Sequence, residues 1–398
     1  MNALLTTFVD HGYLAGAAAL VHQGGRVVHA GCAGQRDLAA GLPVQRDTLF
    51  RIASLTKPVT TMAALVLHDE GRFTLDEPIT RWAPEFAAPR VWRRPSGPLA
   101  DVEPARRPIT FRDLLTQRSG ITYGAFWGGP MERAFADALG GDIDTPVEPD
   151  AWIAALSALP LVAQPGAGFH YGHSTDLLGL ILARMEGEPL GMVLKRRIFE
   201  PLGMRDTGFV VPAAERHRCA ASTGVGDDDR PAARRGGPGG SFVEDRPAGW
   251  SYVSGGQGLW STVDDYLAFA RTFLGERPLL RPETLSMMMS DQLTATQRTE
   301  ATMFGMPLFG AGHGYGMGVA VVIDADQASP NLCGGHVGAV GWPGGFGGWW
   351  QADPTDGSVA ILLTHAMVEL PQMAEGLGLG AYVARGEFHR EARRSVRG

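Results

Sequence analysis

Only two of the chain's 35 lysines and arginines are lysine, Lys57 and Lys195, and the first follows Ser54 by three residues in Ser54-Leu55-Thr56-Lys57. A composition that places arginine almost wherever a positive charge is wanted keeps a lysine where arginine would fail. Arginine never loses its proton in a protein, whereas a buried amine can, and only a neutral amine can take a proton from a serine hydroxyl. At a spacing of three on a helix the two side chains share one face and reach each other. The pair therefore predicts a serine nucleophile activated by a lysine, the S-x-x-K arrangement of acyl transfer.

Other chemistries find less support. A Ser-His-Asp triad drawing on His173, His336 or His365 lacks the G-x-S-x-G elbow that would present its serine. There is no C-x-x-C pair and no H-E-x-x-H, so no metal and no cofactor are expected. A Walker A loop is excluded, because neither lysine follows a glycine.

Positioning Ser54 and Lys57 requires a buried helix. From Ser54 to Leu67 the sequence is apolar nearly all round, with Pro58 in the first turn and Gly71 placed to end the helix. Before it, the runs Ala17 to His22 and Arg26 to Ala30, joined by Gly24-Gly25, predict a hairpin. After it come helical patterns: one from Thr110, with Asp113 in capping-box spacing, to Gly120, one over Thr175 to Met185, and one after Pro189. Strand patterns return at Tyr315 to Ile323, Gly348 to Ala352 and Ser358 to Thr364, followed by a helix around Met373 to Arg385. Pro84 to Pro108 and Gly224 to Trp250 read as surface loops. This order predicts a split α/β domain, 1–75 with 205–398, and an inserted all-α domain, 76–204.

The 398 residues, 44% hydrophobic with a formal charge of -7, describe a globular chain of two lobes. No basic stripe invites nucleic acid, and no apolar run reaches the ~18 residues of a membrane span. The N-terminus lacks a basic segment followed by an apolar one, and Cys32, Cys219 and Cys333 are odd in number and far apart. A cytoplasmic protein with reduced thiols is expected, and its oligomeric state is not readable.

Six segments in order resemble the serine β-lactamase and penicillin-binding-protein-like superfamily, most closely the family VIII carboxylesterases with their class C β-lactamase-like fold. They are Ser54 to Lys57, Leu114 to Gly120, Tyr171 to Gly179, Phe199 to Met204, Gly255 to Tyr266 and Gly341 to Gly347. The resemblance spans nearly the whole chain. It implies a β-lactamase/transpeptidase-like fold, an antiparallel sheet flanked by helices beside a helical lobe, with Ser54 between them. Tyr171 falls at the tyrosine of the family's Y-x-N motif, where the phenol shares proton transfer with the lysine. His173 stands where many relatives carry asparagine, within reach of a substrate. Trp342-Pro343-Gly344 occupies the K-T-G position of lactamases, whose lysine helps hold a carboxylate. A tryptophan suits an uncharged group instead. The resemblance also places the Gly345 N–H beside that of Ser54 as an oxyanion hole.

The expected activity is cleavage of small carboxylic esters through an acyl-enzyme. Ser54, Lys57 and Tyr171 are the catalytic residues, and His173, Trp342 and Gly344 line the substrate. Tyr123 and Trp127, from the aromatic segment Thr122 to Pro130, either line the acyl pocket or pack as an ordinary loop. The alternatives are a β-lactamase or D-alanyl peptidase of the same fold, an acyltransferase, or a non-catalytic scaffold. The expected partner is a small-molecule ester, with no nucleic acid and no membrane.

Overall fold

The computed structural model describes residues 1–94, 97–234, 246, 249–369, 372–373 and 375–397. Its centre is an eight-stranded antiparallel sheet drawn from both ends of the chain. In spatial order the strands are His313–Tyr315, Ala320–Val322, Val340–Pro343, Trp349–Asp353, Ser358–Thr364, β1 (Gly16–Gln23), β2 (Arg26–Asp37) and β3 (Leu42–Pro43). The central pairing sets Ala17 against Thr364 and Ala18 against Leu363.

Alternate side chains of a strand face opposite ways, so a strand covered on both faces reads as a continuous apolar run. Ala17, Ala19 and Val21 of β1 join Leu5 and Phe8 of α1 (Asn2–Asp10) and Phe388 of the C-terminal helix Gly380–Arg397. Ala18 and Leu20 face the other way, into the main core that includes Met62 and Leu65 of α2 (Thr56–Asp69). Each such fully buried Leu, Val or Met is worth about 1.5–3 kcal/mol against exposure. This explains why α2 carries no polar stripe: eleven of its fourteen residues are buried.

Between α2 and the later strands lie α3 (Phe111–Leu115), α4 (Gly129–Leu139), α5 (Pro149–Ala158), α6 (Ser174–Glu186) and α7 (Leu190–Leu194). The Thr110 hydroxyl and the Asp113 carboxylate cap α3 reciprocally, as their spacing predicts. That helix stops at Leu115, not at Gly120, because Gln117 adopts φ 56°. The run Tyr315 to Ile323 is two strands folded back through Gly316-Met317-Gly318, with Gly318 at φ +75°. The closing helix starts later and runs longer than expected, over Gly380–Arg397. The expected loop Pro84 to Pro108 holds a small hairpin, Arg90–Trp92 with Val102–Pro104, whose Val91 and Trp92 are buried. Nearly half of the loop expected over Gly224 to Trp250 lies outside the described residues, although Thr223–Val225 and Pro231–Ala233 pair at its start. Among the described residues no helix is long and apolar enough to cross a membrane.

Candidate active site

Ser54 sits in a 3-10 turn, Ala53–Leu55, that leads directly into α2. The turn is stitched from below by the segment 255–261. Ile52 donates to Leu259 O at 3.0 Å, Leu259 N to Thr56 Oγ1 at 3.2 Å, and Thr60 Oγ1 to Gly255 O at 2.7 Å. The strand β4 (Phe50–Arg51) pairs with Trp260–Ser261. Ala53 is held at φ 44°, a left-handed conformation that costs a residue with a Cβ and persists only where its surroundings impose it. The strain lies one residue before Ser54.

Lys57 is fully buried, and three oxygens surround its Nζ. The Nζ lies 2.9 Å from the Tyr123 hydroxyl, 3.2 Å from Gly256 O and 3.4 Å from Ser54 Oγ. It also stands 4.4 Å over the ring centre of Tyr171. The Tyr171 hydroxyl meets Trp342, whose indole Nε1–H donates to it at 3.0 Å. The lysine thus has Tyr123 as its hydroxyl partner and Tyr171 as its ring neighbour. Burial, with the Asp176 carboxylate nearby, pushes the Tyr123 phenol well above its ordinary range, so it stays a neutral hydrogen-bonding group.

The Tyr171 segment is fixed by close approach. A Cβ on Gly172 would stand 2.3 Å from Thr122 Cα, so only glycine lets this segment lie against the Thr122 backbone. Gln117, turned by its left-handed φ, accepts from Gly172 N and donates to Thr175 Oγ1, both at 3.0 Å. Ser119 Oγ and Ser174 Oγ lie 2.8 Å apart. The Leu114 to Gly120 segment is therefore a bracket for Tyr171. On the opposite side, a Cβ on Gly344 would meet Ile52 O at 2.7 Å, which brings the end of strand Val340–Pro343 against the turn of Ser54. Among the described residues the Gly345 N–H has no protein acceptor.

Three residues expected to line the substrate each engage protein partners. His173 is fully buried, with Nδ1 2.9 Å from Asp176 Oδ2 and Nε2 3.3 Å from Asp142 Oδ1. Burial disfavours its charged form, but the two carboxylates outweigh this and lift its pKa to about 9. Trp342 is 1% exposed and packs on Tyr171 and Tyr315. Trp127 donates to Thr122 Oγ1 at 3.0 Å and packs edge-on against Trp92, holding its loop to the helical part.

The sequence reading passed over Asp176, although a carboxylate three residues after a histidine inside an apolar run is a usable signal. Asp176 is fully buried and accepts from Ser254 Oγ and, at 2.9 Å, from Gly256 N, the residue whose carbonyl holds Lys57. A separate cavity of about 280 Å³, whose lining includes Asp37, Arg51, Cys219 and Trp260, contains none of Ser54, Lys57 or Tyr171.

The Beta-lactamase family model matches residues 1–385. Protein Rv1367c of Mycobacterium tuberculosis (strain H37Rv) is 41% identical over 378 residues, covering 94% of this chain and 90% of that one. Esterase EstB of Burkholderia gladioli is 34% identical over 368 residues, covering 89% and 87%. Among solved structures, EstCE1, "a hydrolase with promiscuous acyltransferase activity", superposes with a TM-score of 0.78 at 27% identity and covers 97% of each chain. Antiparallel sheet, flanking helices and relatives agree: the chain belongs to the Beta-lactamase family, as an enzyme of the β-lactamase/transpeptidase-like fold related to the family VIII esterases.

Proposed function

We propose that this enzyme hydrolyses small carboxylic esters through an acyl-enzyme on Ser54. The observation that carries the reading is the Ser54 Oγ to Lys57 Nζ contact of 3.4 Å, made by a lysine buried among neutral oxygens and aromatic rings. Hydrogen bonds of this kind are often long in a resting enzyme and tighten with substrate.

Ser54 Oγ attacks the ester carbonyl while its proton passes to the neutral Lys57 amine. The carbonyl oxygen becomes an oxyanion, held by the N–H groups of Ser54 and Gly345. When the C–O bond breaks, the departing alkoxide takes a proton relayed from Lys57 through Tyr171. The indole N–H of Trp342 on the Tyr171 oxygen and the cation over its ring both stabilise negative charge there, which supports the relay. Water then attacks the acyl-enzyme by the reverse sequence. With Trp342 at the position of the lactamase lysine, that position offers no cation for a substrate carboxylate, which favours neutral esters over β-lactams.

A second reading, acyl transfer to an alcohol, is favoured by the seclusion of the nucleophile. Ser54 is 7% exposed, and Tyr123 packs on Phe126 and Tyr171 beside the lysine that reaches Ser54. EstCE1 is a hydrolase with promiscuous acyltransferase activity. The test is intact-mass measurement after incubation with a fluorophosphonate, with p-nitrophenyl butyrate and with a penicillin. A covalent adduct on Ser54, absent in Ser54→Ala, with faster turnover of the ester than of the penicillin, is the expected result. Labelling at another serine would overturn it, and ester product in place of acid when alcohol is added would favour the second reading.

A further inference from the structure

Between α4 and α5 the chain makes a short turn, 140–146, whose consecutive side chains go to different partners. Asp142 Oδ1 lies 3.3 Å from His173 Nε2. Asp144 Oδ2 lies 3.2 Å from Arg51 Nη1, and Arg246 Nη1 is 3.7 Å from the other oxygen. Ile143, between the two carboxylates, is buried in a small apolar cluster with Ala53 and Phe346. Ala53 immediately precedes Ser54, and Phe346 immediately follows Gly345. The turn therefore places one aliphatic side chain at the shoulder of the nucleophile, with a carboxylate on each side anchored to a different part of the molecule.

We propose that Ile143 is the wall that limits the acyl group at Ser54, and that His173 is a positioning residue which holds this wall through Asp142. The proposal rests on the ester-cleaving reading of Ser54. The leaving alcohol must face Tyr171 to receive its proton, so the acyl substituent points away from it, toward Ile143. An aliphatic wall there admits a short unbranched acyl chain and excludes branching beside the carbonyl.

His173 also joins the wall to the lysine. Its Nδ1 is bound by Asp176, Asp176 accepts from Gly256 N, and the Gly256 carbonyl accepts from Lys57. An asparagine would face two such carboxylates only as a weak neutral donor, whereas an imidazolium hydrogen-bonds Asp176 through Nδ1 and attracts Asp142 by charge across 3.3 Å. The groups around it are Asp142 on the turn, Asp176 on α6, Tyr123 with its ring 4.4 Å away, Tyr252 behind Trp152, and Lys57 beyond Asp176. Burial pushes both phenols well above their ordinary range, so neither changes charge near pH 9. As pH rises through about 9, His173 gives up its proton and Asp142 loses its cationic partner. The wall then loosens.

Two measurements on the full-length protein test this. The first is the ratio of kcat/KM for p-nitrophenyl isobutyrate to that for p-nitrophenyl acetate, in wild type, Ile143→Ala and Asp142→Asn. Ile143→Ala should raise the ratio about tenfold at every pH. Asp142→Asn should raise it about threefold at pH 7.5, and wild type should approach the Asp142→Asn ratio only above pH 9. Ile143→Val serves if the alanine variant does not fold. The second, which needs no substrate, is amide hydrogen exchange of 140–146 at pH 7.5. Asp142→Asn should speed it about tenfold relative to wild type. An unchanged ratio in an Ile143 variant whose Ser54 still takes a fluorophosphonate overturns the wall, and unchanged exchange in Asp142→Asn overturns the role of His173. Failure of the wild type to label at Ser54 overturns the ester-cleaving reading and the wall with it, while the exchange result still decides the clamp.

Discussion

Trp342 donates its indole N–H to the Tyr171 hydroxyl at 3.0 Å, from a position where it is itself almost wholly buried. The residue expected at the position of the lactamase lysine is thus attached to the phenol, and its proposed effect on substrate passes through that phenol. A wall and a positioning group leave different kinetic traces. Trp342→Phe keeps the ring and loses the donor, so kcat should fall about tenfold or more, in line with a hydrogen bond of roughly 1.5 kcal/mol, while KM stays within about twofold. Steady-state kinetics on p-nitrophenyl butyrate decide it; a raised KM at constant kcat would make Trp342 a substrate contact.

Lys57→Arg should be nearly as damaging as Lys57→Ala. The ammonium fills a closed site with three oxygens around it, and the proposed role needs an amine that can be neutral. A loss of about 10³-fold in kcat/KM is expected for both. Arginine retaining a tenth or more of the activity would reduce the role to charge alone.

Tyr123 and Tyr171 should separate by rate. Tyr171→Phe removes the proposed proton relay and should cost about 10²–10⁴-fold in kcat. Tyr123→Phe removes one neutral partner of Lys57 and should cost only about tenfold in kcat, because the lysine loses an oxygen that helps hold it in place. The reverse ranking would transfer the relay to Tyr123.

The parts of this arrangement that were legible in the sequence share a property: local chemistry sufficed for them. The strand Ser358–Thr364 ends where its apolar run ends, and Thr110 with Asp113 caps α3 whatever surrounds it. The illegible parts depend on distant partners. Nothing local tells Gln117 to turn left-handed after Leu115; the reason is Gly172 and Thr175, more than fifty residues away. The 315–323 run folds back at Gly318, which sits at φ +75° and donates to the distant Leu115 O at 3.1 Å. The Gly380–Arg397 helix hides its apolar face in Ala381, Ala384, Phe388 and Ala392 among many charges. In the site, the motifs located Ser54, Lys57 and Tyr171, but motif letters do not record who bonds to whom. That Tyr123 takes the lysine, that Trp342 takes Tyr171 and that His173 turns inward to Asp142 and Asp176 emerge only from the packing.

The last prediction concerns stability against pH. The folded His173 has its pKa raised from 6.5 to about 9, so its contribution is complete below about 6.5 and is lost as pH rises through about 9. Asp176 is held below its ordinary 3.8: burial opposes its charge, but His173 and Ser254 bond it and Lys57 lies near, and they prevail. Its contribution is present above 3.8 and is lost as pH falls below that. The pair therefore stabilises the fold between about pH 4 and 9. The histidine's share alone is of order 3 kcal/mol in a fully desolvated site. Urea unfolding of wild type and Asp142→Asn at pH 7 and pH 10 should show a gap of about 1–2 kcal/mol at pH 7 that narrows at pH 10, when His173 is neutral in both proteins. A gap of equal size at both pH values would mean that Asp142 contributes through packing or neutral hydrogen bonding, and that His173 carries no charge for it to bind.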